Sequence, residues 1–200
     1  MKTTQTLPTD YSLAWSLELQ HNTRLNIILQ VIGLGWMALA GWLLTICVLW
    51  IRPELAAALQ GNFTGGMMLT GLLILLVLMI AVIILHELVH GLFFWIFTGK
   101  HPEFGTGPGY AYAAMPDWFF SKGRYLVIGL SPLVGLTALG LAACAFAPQA
   151  WLSALLASMI INAGGAIGDM YVCWRVARDG PDVWIKDSGD GFQLYRRRIQ

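Results

Sequence analysis

Apolar positions in this chain fall into long blocks, not short alternating ones. Four runs reach the roughly 20 residues that a helix needs to span a bilayer: about 26–51, 67–97, 125–147 and 150–176. The second is longer than a bilayer requires, so it must tilt, kink or protrude, and Gly91 is one place for it to bend. Ser131-Pro132 predicts a kink in the third run. Elsewhere the period shortens. "YSLAWSLELQ" alternates apolar and polar from Tyr11 to Leu19, which is strand period. "GYAYAAM", after the Gly/Pro-rich "FGTGPG", reads as a strand or hairpin arm. The tail "DVWIKDSGDGFQLYR" reads as strand, Gly-Asp-Gly turn, strand. The pattern predicts a mainly α membrane protein. It is one integral domain over 1–200, a four-transmembrane-helix bundle with a small cytoplasmic β element drawn from the 99–124 loop, the N-terminal segment and the 177–200 tail. Loose loops are the alternative for the β part.

Composition sharpens this picture. The chain is 57% hydrophobic and only 12% charged, against about a quarter charged in soluble domains. A net charge of +1 offers no basic surface to release nucleic-acid counterions, so no nucleic-acid partner is expected. Cys47, Cys144 and Cys173 lie in separate apolar runs and form neither a disulfide framework nor a thiolate metal site; they read as small packing residues. The first apolar run follows a polar segment and does not read as a secretory signal. Lys and Arg concentrate before the first run, between the second and third, and after the fourth. The positive-inside rule therefore puts both termini and the 99–124 loop in the cytoplasm, with a bacterial cytoplasmic membrane as the expected location.

One apolar run carries ionisable groups that are costly in such a place. "HELVH" sets His86 and His90 four residues apart, on one helix face, with Glu87 beside the first. Two such imidazoles can ligate one metal ion, and the glutamate can take a proton from the attacking water, as in the H-E-x-x-H arrangement of zinc peptidases. A catalytic zinc wants a third protein ligand. Besides Glu87, the only carboxylate inside the apolar runs is Asp169. By helix rise, His90 lies about 10 Å and Asp169 roughly 9 to 14 Å from the cytoplasmic ends of their parallel helices, so the groups can meet at one level. The alternative for Asp169 is a buried partner of a histidine or arginine. Glu103, in the loop, is a rival third ligand. Gly164, Gly165 and Gly168 form a small-residue face that would let Asp169 approach. Asn162, two turns before Asp169, could contact a peptide, the attacking water or an oxyanion, or could make an interhelical hydrogen bond.

These motifs resemble the core of site-2-type intramembrane metalloproteases. They more closely resemble the DUF3267 family of zincin peptidases, on "HELVHG", "GYAYAAMP", "LSPLVGL", "NAGGAIGD" and "DSGDG", over about 67–195. The resemblance implies zinc-dependent peptide hydrolysis with His86, His90 and Asp169 as ligands and Glu87 as base. The expected partners are the lipid bilayer and a peptide or membrane-protein segment cut near the cytoplasmic face. An extended substrate could add to an edge formed by "GYAYAAM". A non-proteolytic membrane protein with a structural or regulatory metal or polar site is the alternative; a small ion transporter is a third reading, against which stand only four spans and no inverted repeat. The sequence names no substrate and sets no oligomeric state.

Overall fold

The computed structural model describes residues 2–18, 22–60, 65–107, 110–189 and 191–198. The first three apolar runs become the helices α1 (Thr23–Ile51), α3 (Gly65–Thr98) and α4 (Lys122–Phe146). Each is long and apolar enough to cross a membrane. Asn22 starts α1, its side-chain oxygen accepting the Leu25 N–H at 3.1 Å. A short helix that the pattern does not forecast, α2 (Leu55–Leu59), follows. Just before it, Arg52 donates to the carbonyls of Cys144 and Ala147, a cation placed on the unpaired oxygens that end α4.

Two expectations about the helices need correction. The fourth run is two helices, α5 (Gln149–Gly165) and α6 (Ile167–Ala177), bent by 47° at Ala166. Three glycines within five residues make this the weakest helical stretch of the run. Counting the bent pair as one span gives up to four crossings. The 164–168 glycines therefore do not form one continuous face. Only Gly164 meets a neighbour closely, the Met37 side chain of α1, while the positions of Gly165 and Gly168 open onto free space. α3 runs as one helix from Gly65 to Thr98, past Gly91. α4 runs as one helix that contains Pro132.

The short-period segments form strands. β1 (Thr3–Thr4), β2 (Tyr11–Glu18), β5 (Phe119–Ser121), β6 (Val183–Asp187) and β7 (Gly191–Arg197) make an antiparallel sheet of order β1-β5-β6-β7-β2. β3 (Glu103–Gly107) and β4 (Tyr110–Ala114) make a separate hairpin with Gly105 opposite Tyr112. Leu19, Gly109 and Asp190, which the sequence reading places in these strands and turns, lie outside the described residues. Phe120, Ile185 and Leu194 stand in register across the sheet and are fully buried. They pack on Phe94, Ile128 and Val176 from the helices. Each such side chain contributes about 1.5–3 kcal/mol of burial, so the sheet is fastened to one end of the bundle. Both chain ends and the 99–124 segment therefore share that end. Among the cysteines, Cys144 and Cys173 are buried and Cys47 is exposed on α1.

Candidate metal centre

Only one narrow stripe of α3 faces the protein. Val82, His86, His90, Gly91 and Phe94 are its buried residues, and nearly all its other apolar side chains point outward. The two histidines thus sit on the single face that α4, α5 and α6 can reach. Gly91 shares that stripe because the β3–β4 hairpin presses there: a Cβ would lie 2.4 Å from the Phe104 ring.

The α5–α6 bend brings Asp169 to the histidines. Its Oδ2 lies 2.9 Å from His86 Nε2 and 3.4 Å from His90 Nε2. One ligand atom from each of the three residues falls within 4.8 Å of the others. The far side of each ring is fixed by a group whose chemistry leaves no choice. His90 Nδ1 lies 3.0 Å from the Ile128 carbonyl, which can only accept, so Nδ1 carries the proton. Asn162 Nδ2 donates to the Pro132 carbonyl at 3.1 Å, so Oδ1 is the atom that faces His86 Nδ1 at 2.9 Å and accepts its proton. Both neutral rings then aim an Nε2 lone pair at the Asp169 carboxylate.

Pro132 makes part of this possible. It has no N–H, so the carbonyl four residues earlier, Ile128, loses its helical partner. That oxygen instead accepts from His90 and from Ser131 Oγ, at 2.8 Å for the latter. The proline expected to kink the helix supplies a buried acceptor.

The donor set fits zinc. Ligands about 2.0–2.1 Å from a tetrahedral zinc lie about 3.3 Å from one another, and the two histidine–Asp169 separations bracket that value. Three acceptors that converge with no donor between them can share a metal ion or a bridging proton. The outer partners are of the kind that orient metal-binding histidines.

Glu87 does not join this group. Its Oε2 accepts the backbone N–H of Ala113 on β4 at 2.8 Å, and the residue lines the cavity beside the donors. That cavity, about 770 Å³, is lined by His86, Glu87, His90 and Asp169 and roofed by β4 and the β6–β7 end of the sheet. Gly165 and Gly168 border it.

The remaining sequence candidates divide clearly. Asn162 is buried with both ends of its amide used between helices. Ser131 is buried and bonds only within α4. Glu103 is exposed at the start of β3 and stands outside the three-residue group. Sequence reasoning missed the Ile128 carbonyl, the Ala113 N–H, and the pair Tyr125 and Asp187, which also line the cavity. Pro132 was the available signal for the first, because a proline inside a helix frees the carbonyl four residues before it.

Residues 79–184 match the model of the DUF3267 family, described as "Putative zincin peptidase". No curated protein matches the chain, and no solved structure does.

Proposed function

The chain belongs to the DUF3267 family, and from that premise we propose that it is a membrane-embedded zinc metallopeptidase. His86, His90 and Asp169 are its ligands and Glu87 is its general base. The observation that carries the reading is the convergence of two Nε2 lone pairs on a carboxylate oxygen, with a second acid held aside by a backbone N–H. Bound zinc supplies a Lewis acid that polarises a carbonyl and lowers the pKa of water toward neutrality. Ile128 and Asn162 keep both rings in the metal-ready tautomer. Glu87, fixed at Oε2 by Ala113, takes the proton of the attacking water at Oε1 and delivers it to the leaving amine. The β3–β4 hairpin is two-stranded, and the free side of β4 carries that Ala113 N–H to the cavity. An extended peptide adding there would lie against the base.

Membrane insertion explains the outer surface. Leu69, Leu72, Leu73, Leu76, Val77 and Ile80 are all exposed on α3. A patch of that size is a liability in water and ordinary in lipid. The basic residues gather at the end of the bundle that holds both termini and the 99–124 segment, which supports a cytoplasmic assignment for that end under the positive-inside rule. The substrate is then a peptide or membrane-protein segment cut near the cytoplasmic face.

The 2.9 Å His86–Asp169 contact favours one second reading, a polar cluster bridged by a proton that holds helices together. Metal content separates the two. Elemental mass spectrometry of detergent-purified protein should give about one zinc per chain, lost in Asp169→Ala. Glu87→Gln should keep the metal and lower peptide hydrolysis by about 10²–10⁴-fold. A well-folded wild type that takes up no zinc would leave only the polar cluster.

A further inference from the structure

Beyond the matched residues 79–184, the C-terminal hairpin reaches into the same cavity. Asp187 ends β6 there. Its Oδ2 accepts the hydroxyl of Tyr125 on α4 at 2.7 Å, and its Oδ1 accepts the N–H of Gly189 at 2.9 Å. Tyr125 is itself buried, so the carboxylate is tied to the body of the bundle. Gly189 has φ +84°, a conformation that favours glycine. The space its Cβ would fill is taken by the ring of Tyr112, whose Cδ2 would lie 2.2 Å away. Opposite, the same ring covers Gly105, its cross-strand partner. Tyr112 is thus seated between two glycines, and the next residue, Ala113, donates to Glu87.

We propose that Tyr125, Asp187, Gly189 and Tyr112 are positioning residues that hold Glu87 through strand β4. The contacts run without a gap. A hydrogen bond anchors the C-terminal turn to α4, the turn packs on the Tyr112 ring, the ring fixes β4, and the β4 amide fixes the carboxylate. The two-stranded hairpin needs such a support, because an isolated hairpin is marginally stable at best. This inference rests on the reading of Glu87 as the base.

The test uses the full chain in detergent and the variants Tyr125→Phe, Asp187→Ala, Asp187→Asn and Gly189→Ala. Hydrogen–deuterium exchange of residues 110–114, zinc content, and kcat and KM on fluorescently labelled casein are measured together. The expected result is unchanged zinc, faster exchange in β4, and kcat lower by about 10–100-fold, the scale of a displaced catalytic group, while a higher KM reports peptide docking on the loosened strand. Asp187→Asn keeps one acceptor oxygen and should recover part of the loss. Wild-type exchange in both Tyr125→Phe and Asp187→Ala overturns the proposal, as does faster exchange with full kcat. Should Asp187→Ala fail to fold, Tyr125→Phe removes a single hydroxyl and decides alone. A wild type that binds zinc but cleaves nothing refutes the protease reading; the exchange arm then still decides whether the turn holds β4.

Discussion

Replacing Asn162 by alanine removes both hydrogen bonds of one buried amide. His86 Nδ1–H loses its acceptor and the Pro132 carbonyl loses its donor, each in a place that water does not readily reach. An orphaned buried group costs about 1–3 kcal/mol, so with two of them the metal-free protein should lose about 2–6 kcal/mol of stability. The metal should suffer separately. With no acceptor at Nδ1, the proton is no longer held there and the Nε2 lone pair is no longer reserved for the metal. Loss of such an outer partner weakens metal affinity about 10–100-fold, or about 1.4–2.7 kcal/mol. Ser131→Ala is the control. That hydroxyl is also buried but is one of two donors to Ile128, so zinc binding should stay at the wild-type level. Competition against a chromophoric chelator reads affinity, and thermal unfolding of the metal-free proteins reads stability without the contribution of bound ligand. Zinc affinity within about threefold of wild type in a less stable Asn162→Ala would refute the reasoning. The amide would then only join helices.

Pro132→Ala restores an N–H that competes with His90 for the Ile128 carbonyl, and should weaken zinc about tenfold in the same competition assay. Gly91→Val places a side chain where the Phe104 ring sits, so the thermal midpoint should fall by the equivalent of about 1–3 kcal/mol. Burial raises the Asp187 carboxyl above the ordinary carboxylate range, against the pull of its Tyr125 hydrogen bond. A carboxyl raised on folding contributes stability that is full below its unfolded value, about 3.9, and is lost as pH climbs through the folded value. In chelator-treated protein, Asp187→Asn should flatten the decline of the thermal midpoint above about pH 4; an unaltered slope would contradict the raised carboxyl.

The helices and the three donors were legible because each rests on a local regularity. Twenty apolar residues in a row, a four-residue histidine spacing and the depth of Asp169 along its run all survive without knowledge of the fold. The break at Ala166 was legible only in part: three glycines mark a weak stretch, but the same letters also fit a packing face, and only the neighbours decide. Gly164 has one in Met37, and Gly168 has none. The strands were visible by period, yet their order was not. β1 pairs with β5 across 115 positions of sequence, Thr4 opposite Phe119, and no local pattern encodes such a pairing. Hardest to foresee were the groups with no side-chain signature, the Ile128 carbonyl and the Ala113 amide, because a backbone atom is the same at every residue. Their availability is nonetheless a matter of accounting. A helical carbonyl is free when the residue four ahead is proline, and a strand amide is free on the side where no strand pairs. Ile128 meets the first condition through Pro132, and Ala113 meets the second at the unpaired side of β4. Both freed groups lie beside the one buried stripe of α3, where an ionisable side chain without a partner would be most costly. The lone polar atoms of the backbone and those of "HELVH" answer each other, and that reciprocity ties this sequence to this site.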